Sequence, residues 1–370
     1  MRGKTEVRAS DRATELAAEI NAILKTDAIK MGNDPKFETL KFMTGVWPID
    51  VLTGGGIPYG RFTVLTGDFS TLKSYVGLRA IAAVQKAGGV AALADTEHAY
   101  DPEWAHDLGV DTKRLILIQE ESAEEALDQC EVAIRNKIDL IVFDSVAAAQ
   151  PQAHSSKRLY GENIQPARQA ALMSEACRRL TSVNSRTAVM WINQLREDIG
   201  GMTFGPREKA TGGRALPYYA SYIIRLKKVG KVTKETKRWD GEVMKASKIV
   251  IAQKFKAELE KSKLSAPFTE EWFTWDLKTG EIDDAGYLIG LGLEHGLVRK
   301  KGNTWSFGKQ SAVGKEKFHD VIAANPDGLM KKVMPLVLPE ASVLHNGGKK
   351  RLRPKKASHR GDLGRAKKKV

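Results

Sequence analysis

Two hydrophobic periodicities divide this chain into an amphipathic helix followed by alternating strands and helices. Residues 10–25 carry apolar side chains at helical spacing, and Ser10 or Asp11 can cap a helix there. The short apolar stretch 27–31 that follows is predicted to be a strand. The apolar stripe of the helix consists of Leu16, Ile20, Ile23 and Leu24. Because this helix and strand have no core of their own, they either fold back on their own domain or dock on a neighbouring subunit.

From Thr44 onward, short apolar runs typical of buried strands alternate with longer stretches of helical spacing. This alternation predicts an α/β protein with a central, mostly parallel sheet that is covered by helices on both faces. The predicted strands are residues 62–65, 90–94, 115–118, 140–143, 187–192 and 222–226, and the predicted helices are residues 73–85, 103–108, 123–136 and 168–183. No helix follows the glycine-rich run 52–60, so it is interpreted as a structural turn.

Residues 61–74 run from an apolar strand through a turn into a helix, in the manner of a phosphate-binding loop. Gly67, Lys73 and Ser74 stand where such a loop needs a glycine, a lysine that reaches the outer phosphates and a hydroxyl for Mg²⁺. Leu72 departs from the pattern, since a second glycine usually precedes the lysine. On its own, the motif is equally compatible with a strand–turn–helix that carries a surface lysine.

Short polar stretches follow three of the predicted strands directly, and the candidate site residues in them are Glu97, Asp144 and Gln194. In a parallel sheet the carboxyl ends of the strands meet at the ligand crevice beside the phosphate loop. An aspartate there can hold Mg²⁺, a glutamate can deprotonate an attacking water, and a glutamine can sense the terminal phosphate. Singly, these residues could be a helix cap, a solvated carboxylate and a turn residue, but their joint placement favours a nucleotide site.

The formal charge of +14 suggests a polyanionic partner, and its distribution is uneven. Residues 347–370 contain eleven Lys and Arg against the single Asp362, a net charge of +10. The folded part is therefore expected to be only mildly basic. Two isolated cysteines, a start without an apolar signal and the lack of a membrane-length apolar run predict a soluble, cytoplasmic protein with packed thiols.

Taken together, these motifs resemble the RecA family of recombinases, over roughly residues 10–340. The matching motifs include Asp95-Thr-Glu97-His98 and Ile192-Asn-Gln194. The other matching stretches are residues 44–61, 98–102, 108–111, 142–148, 211–221 and 261–268. The resemblance implies an ATPase core of the RecA type, a helix–strand arm before it and a small α/β domain after it. The expected divisions are an oligomerisation arm at 1–43, the core at 44–282, a DNA-gathering domain at 283–340 and a basic, disordered tail at 341–370.

The resemblance also implies roles for single residues in binding and hydrolysing ATP. Lys73 and Ser74 would contact the phosphates and Mg²⁺, Asp144 would be the second Mg²⁺ residue, Glu97 the general base and Gln194 the phosphate sensor. Asp101 and Trp104 occupy positions where the family recognises ribose and adenine, and a flat aromatic side chain suits stacking on a base. The expected phosphate-binding stretch comprises Gly67, Asp68, Phe69, Ser70, Thr71, Leu72, Lys73, Ser74 and Tyr75.

Two lysines, Lys261 and Lys263, resemble the pair that reaches the neighbouring subunit's terminal phosphate in this family. Lys254 and Lys256 offer a competing alignment, and either pair could instead be an exposed strand face. Pro217 departs from the family, whose cellular members tend to carry a lysine there.

Two loops resemble the family's grips on single-stranded DNA, at about residues 153–167 and 196–214. Basic side chains and amides would follow the phosphate backbone while apolar side chains enter between bases. The DNA-binding candidates are Arg168, Arg178, Arg196, Met202, Phe204, Gly212, Gly213 and Arg214.

The resulting expectation is an ATP-dependent recombinase that forms helical filaments on single-stranded DNA and pairs it with homologous double-stranded DNA. A filament-forming DNA-binding protein that uses ATP weakly or not at all is the alternative that Leu72 favours, and a hexameric helicase is a third. Some phage members of the family carry a bulky residue before the lysine, so Leu72 also suggests a phage-type member acting in a bacterial or phage-infected cell. The basic tail would strengthen DNA binding or serve as a localisation signal.

Overall fold

The computed structural model describes residues 2–149, 151, 166–197, 208–210, 213–239 and 244–338. The first half contains α1 (Arg2–Leu24), a 3₁₀ turn (Pro35–Phe37), β1 (Lys41–Phe42), α2 (Trp47–Leu52), β2 (Ile57–Pro58), β3 (Phe62–Gly67), α3 (Lys73–Lys86), β4 (Ala91–Asp95), α4 (Pro102–Asp107), β5 (Leu115–Ile118), α5 (Ala123–Arg135) and β6 (Leu140–Asp144).

The second half continues with α6 (Pro166–Val183), β7 (Ala188–Glu197), β8 (Glu208–Ala210), α7 (Ala215–Tyr219), β9 (Tyr222–Trp239), β10 (Met244–Ser262), β11 (Glu270–Asp276), β12 (Glu281–Ile282) and α8 (Asp284–Glu294). Three short strands follow, β13 (Arg299–Lys301), β14 (Thr304–Phe307) and β15 (Gln310–Val313), and then α9 (Lys315–Ala324) and α10 (Asp327–Val337).

Ten of the described strands form one sheet, whose order is β12-β11-β10-β9-β3-β7-β6-β4-β5, with β8 paired to β7. The pairs from β9 through β5 are parallel, and those from β9 to β12 are antiparallel. The predicted mostly parallel α/β core is thereby confirmed. Its carboxyl-terminal edge gathers the ends of β3, β4, β6 and β7, where the candidate site residues follow.

The sheet buries both of its faces, as the uninterrupted apolar runs of its strands require. Along β6, Leu140 and Val142 belong to one core cluster, which α3 covers, and Ile141 and Phe143 belong to the other, which α5 and α6 cover. Trp191 is fully buried in the second cluster, with its ring 5.0 Å from that of Phe143. Cys130 and Cys177 are both buried there, as predicted.

The N-terminal segment differs in two respects from the prediction. Helix α1 begins at Arg2, well before residue 10, and the described backbone at 27–31 forms no strand. Asn21 holds this segment instead, because its side chain accepts the Ile29 N–H at 3.0 Å and donates to the Ile29 carbonyl at 2.8 Å. The apolar stripe is left largely in solvent, with Ile23 78% and Leu24 63% exposed.

The sequence patterns also missed a long antiparallel ribbon. The predicted strand at 222–226 is the first part of β9, which has 18 residues and pairs with the 19 residues of β10. Strand β11 covers β10 only as far as Ala252, so the outer ribbon has no further partner among the described strands. No helix within the described ranges is both long enough and apolar enough to cross a bilayer.

Candidate nucleotide-binding site

The turn between β3 and α3 has a backbone that accepts only glycine at its first position. Gly67 has a φ of +156°, and a Cβ there would lie 2.4 Å from the Leu226 carbonyl oxygen and 2.6 Å from Thr71 Oγ1. The buried Thr71 hydroxyl closes the turn by donating to the Asp68 carbonyl at 2.8 Å. The turn is therefore set by backbone geometry before any side chain contacts a ligand.

Leu72 precedes α3 with φ 68° and ψ 19°, in the left-handed region. This region favours glycine because it crowds a Cβ against the backbone, which explains why a glycine is usual at this position. The half-buried Leu72 side chain packs against the first core cluster and also borders the cavity described below.

Lys73 begins α3, and its ammonium group lies at the centre of the turn. Nζ donates to the carbonyls of Gly67 at 3.0 Å and Asp68 at 2.7 Å, and to Thr71 Oγ1 at 3.3 Å. Burial lowers the pKa of Lys73, whereas the carboxylates of Asp144, Asp68 and Glu97 act in the opposite direction. Phosphate oxygens at the helix N-terminus could take the place of these carbonyls as acceptors.

Ser74 and Asp144 bring two oxygen ligands together across the sheet edge. Ser74 Oγ donates to Asp144 Oδ2 at 2.6 Å. Burial raises the pKa of Asp144 to about 6, and the neighbouring Glu97 and Asp95 carboxylates add to this rise, while the Ser74 hydrogen bond opposes it. A divalent cation would offset these charges. One hydroxyl and one carboxylate suit Mg²⁺, which commonly binds few protein oxygens and completes its shell with water and phosphate.

Glu97 and Gln194 are joined directly, although they lie 97 residues apart in the chain. Gln194 Nε2 donates to Glu97 Oε1 at 2.9 Å, and the Ser145 hydroxyl donates to the same oxygen. The Thr96 hydroxyl donates to the Ser145 carbonyl at 2.8 Å and accepts its N–H at 3.0 Å, which ties the ends of β4 and β6 together. The carboxylate is thus oriented by hydrogen bonds from two neighbouring strand ends.

These residues line one cavity of about 500 Å³, which lies within the usual range for small-molecule sites. It is bordered by the predicted residues Phe69, Ser70, Thr71, Leu72, Lys73, Ser74, Tyr75, Glu97, Trp104, Asp144 and Gln194. Trp104 is 43% exposed, so one part of its ring is open to a stacking partner. Asp101 does not border the cavity, since its carboxylate caps α4 by accepting the Trp104 N–H at 2.9 Å.

The opposite wall of the cavity was missed by sequence reasoning. It is formed by Lys228, Gln253, Phe255, Trp275 and Leu277, from β9, β10, β11 and the turn after β11. Trp275 packs edge-on against Tyr75, with ring centroids 4.8 Å apart. These strands reach the phosphate turn only because β9 pairs with β3, and no local sequence motif predicts that pairing.

The two predicted lysine pairs lie apart from the cavity lining in the single chain. Lys261 Nζ donates to the carbonyls of Pro217 and Tyr218, and Lys263 Nζ donates to that of Tyr218 at 3.1 Å, at the end of α7. Lys256 is engaged with Glu258 and Glu270, and Lys254 is exposed. Contact of either pair with another subunit stays a prediction.

The DNA-binding candidates fall only in part on described residues. Arg168 and Arg214 are exposed, and Arg178 is exposed and paired with Glu175 at 2.6 Å. Gly213 has a φ of +75°, and its Cβ position lies against Ala170, so it has a structural requirement of its own. Strands β7 and β8 form a hairpin stem directly after Gln194. The Arg196 side chain, Met202, Phe204, Gly212 and the loop at 152–165 lie outside the described part.

The family model and the relatives that match this chain all indicate the same family. Residues 14–280 match the model of the RecA N-terminal domain. Protein RecA of Salinispora arenicola is 38% identical over 325 residues, which cover 86% of this chain and 88% of that protein. Protein RecA of Corynebacterium aurimucosum is 38% identical over 309 residues, covering 82% and 78% of the two chains.

A crystal structure of the RadB recombinase has a TM-score of 0.46 and 19% identity, over 65% of this chain and 98% of that one, too distant a likeness to carry an argument. The RecA relatives are bacterial and give no specific support to a phage-type lineage. Both the matched family model and the identity to these relatives extend over the phosphate turn and the strand ends that surround it, and the chain therefore belongs to the RecA family.

Proposed function

We propose that this RecA-family chain, an ATP-dependent homologous-recombination protein and DNA-dependent ATPase, hydrolyses ATP in the cavity at the ends of β3, β4, β6 and β7. The observation that carries this proposal is the convergence of Lys73, the Ser74–Asp144 pair and the Glu97–Gln194 pair on one cavity. A protein that bound DNA without using ATP would have no need for this arrangement, and the turn and α3 form despite Leu72, the residue that suggested that alternative.

The residues of the cavity divide the work of hydrolysis among them. Lys73 and the amides of the turn would hold the phosphates, and Ser74 and Asp144 would hold Mg²⁺, which when bound neutralises charge on the phosphate oxygens. Glu97 would accept the proton of the attacking water, and the hydrogen bonds from Gln194 and Ser145 would keep its carboxylate in place. Lys261 and Lys263 would neutralise the terminal phosphate of a neighbouring subunit, which makes them candidates that act only on assembly.

Gln194 would couple the bound nucleotide to the DNA-binding loop. It contacts Glu97 and also opens the β7–β8 hairpin, whose loop is a DNA-binding candidate. A phosphate that displaced Gln194 from Glu97 would shift the base of that hairpin. ATP binding would then favour the grip on single-stranded DNA, and hydrolysis would release it.

Assembly into a helical filament is supported by apolar surfaces at two places in the molecule. Helix α1 leaves Ile23 and Leu24 in solvent, and β5 ends the sheet with Ile116 and Leu117 partly exposed. An unpaired strand edge can accept an added segment from another chain. We propose that residues 1–43 form an arm that docks on the next subunit, that 44–282 and 283–340 act as separate modules, and that double-stranded DNA is gathered by the second. We also propose a cytoplasmic location and a phage-type origin, and the second of these is supported only by Leu72.

Negative-stain electron microscopy of the full chain with ATP, Mg²⁺ and single-stranded DNA tests this assembly. We expect helical filaments for the wild type and for Val313→Ser, which alters an equally exposed apolar residue far from α1 along the chain. The double variant Ile23→Ser/Leu24→Ser should form few filaments while keeping its melting temperature. Rings in the wild-type sample would favour a hexameric helicase, and normal filaments in the double variant would remove the proposed role of the arm.

A further inference from the structure

Strand β9 continues past the phosphate turn, whereas its neighbour β3 ends there. Gly67, the last residue of β3, is flanked by Gln194 on β7 and by Leu226 on β9. Two residues beyond Leu226, and so about 7 Å further along the strand, Lys228 borders the same cavity as Lys73 and Glu97. Lys228 and Gln194 therefore stand on opposite sides of the turn from which a bound triphosphate would extend.

Lys228 differs from its basic neighbours because it has no partner side chain within the described part of the chain. Lys227 contacts Glu258 at 2.6 Å, and Lys256 is held by Glu258 and Glu270. Lys228 is exposed and makes no hydrogen bond or ion pair with any side chain in the described ranges. Its ammonium group is close enough to Lys73 to disfavour the charged form of that residue.

Two ammonium groups that face one cavity repel each other unless an anion lies between them. The carboxylate of Asp144 accepts a hydrogen bond from Ser74, and that of Glu97 accepts hydrogen bonds from Gln194 and Ser145. Neither carboxylate is hydrogen-bonded to Lys228. A nucleoside triphosphate has enough negative charge for both lysines as well as for Mg²⁺. A cation placed opposite Gln194, the expected sensor of the terminal phosphate, is suited to that same phosphate.

We propose that Lys228 binds the terminal phosphate of ATP within its own subunit and so helps the site to distinguish triphosphate from diphosphate. The proposal rests on the ATPase site inferred above and adds to it a residue from the β9–β10 ribbon. It also links that ribbon to the nucleotide, since Lys228 belongs to β9.

Calorimetric titration of the full chain with Mg·ATPγS and with Mg·ADP, in the absence of DNA, tests the proposal. For Lys228→Met we expect the dissociation constant of ATPγS to rise about fivefold to tenfold, as for the loss of one charge-assisted hydrogen bond at a partly exposed site. The constant for ADP should change less than about twofold. Lys228→Arg should restore most of the ATPγS affinity.

Lys231→Met is the matched control, because Lys231 is also an exposed lysine of β9 but does not border the cavity. It should bind both nucleotides as the wild type does. Unchanged ATPγS affinity in Lys228→Met, or equal weakening of ATPγS and ADP, would overturn the proposal. A wild-type chain that bound neither nucleotide would instead contradict the ATPase site itself, so the two failures are distinguishable.

Discussion

Leu72 makes two opposing contributions to the stability of the protein. Its left-handed backbone costs about 1–2 kcal/mol relative to glycine, while its side chain packs partly against the core. The turn keeps its shape because Gly67 and Thr71 fix the preceding residues and Lys73 closes the centre. A nonglycine residue at this position is therefore compatible with a complete phosphate site.

Replacing Leu72 by glycine should preserve or improve ATP binding. The substitution relieves the backbone cost and removes side-chain packing, so we expect the free energy of unfolding to change by less than about 1 kcal/mol. Leu72→Ile is the matched control and should be less stable than the wild type by about 1–2 kcal/mol, because a β-branched side chain is poorly accommodated at positive φ. Urea unfolding and ATPγS titration measure both quantities. Loss of ATP binding in Leu72→Gly would mean that this turn has been misplaced.

Glu97, Asp144 and Gln194 could be found from the sequence because each lies just beyond the end of a recognisable apolar run. The parallel sheet brings these strand ends together. Lys228 and Trp275 lie within strands whose position depends on long-range pairing. No pattern around them differs from an ordinary exposed strand face, so they could not be found from the sequence.

Among the helices and strands, the predicted bounds were most accurate where the local sequence pattern alone determines the element. Strand β5 and the starts of α3 and α5 agree with the predicted bounds, because a short apolar run, a phosphate-loop motif and the capping residue Ser122 are strong local signals. The ribbon of β9 and β10 was missed, since its outer half is rich in lysine and the side chains described there are mostly exposed. Many lysines in a row hide the alternation of apolar and polar residues that indicates a strand. The segment at 27–31 has apolar residues but pairs with none of the described strands of its own chain.

The contact between His319 on α9 and Asp283 at the start of α8 should make the stability of the protein sensitive to pH. His319 Nε2 lies 2.6 Å from Asp283 Oδ1, and Asp283 also caps α8 by accepting the Gly286 N–H. The hydrogen bond with Asp283 raises the pKa of His319. Burial opposes ionisation of Asp283, but the hydrogen bonds from His319 and Gly286 hold its pKa below the usual value.

These shifts fix the sign of the expected pH dependence. A histidine whose pKa is raised by folding contributes stability below its unfolded pKa of about 6.5, and the contribution is lost as the pH rises through the folded value. Asp283, whose pKa is lowered by folding, contributes stability above its unfolded pKa of about 4, and this contribution is lost as the pH falls through the folded value. The difference in melting temperature between the wild type and His319→Gln should therefore be larger at pH 5.5 than at pH 8.5. An equal difference at the two pH values would show that the pair acts only by packing.

At the scale of the whole molecule, charge is concentrated in the C-terminal residues 347–370, which carry a net of +10 out of +14. A polycation strengthens binding to any nucleic acid by releasing counterions. Removal of these residues should weaken binding to single-stranded DNA and reduce the slope of log K against log salt by about 0.7 for each phosphate that the tail neutralises. Fluorescence anisotropy across a salt series measures that slope. An unchanged slope would exclude the tail from DNA binding.

Glu97 is the proposed base that activates water in a DNA-stimulated ATPase. This role is tested by the steady-state rate of ATP hydrolysis with and without single-stranded DNA, for the wild type and for Glu97→Gln, whose amide can still accept from Gln194. We predict a rate that DNA increases in the wild type and that falls about a hundredfold or more in Glu97→Gln, with ATPγS binding retained. A negligible wild-type rate that Glu97→Gln leaves unchanged, while DNA binding persists, would contradict the account.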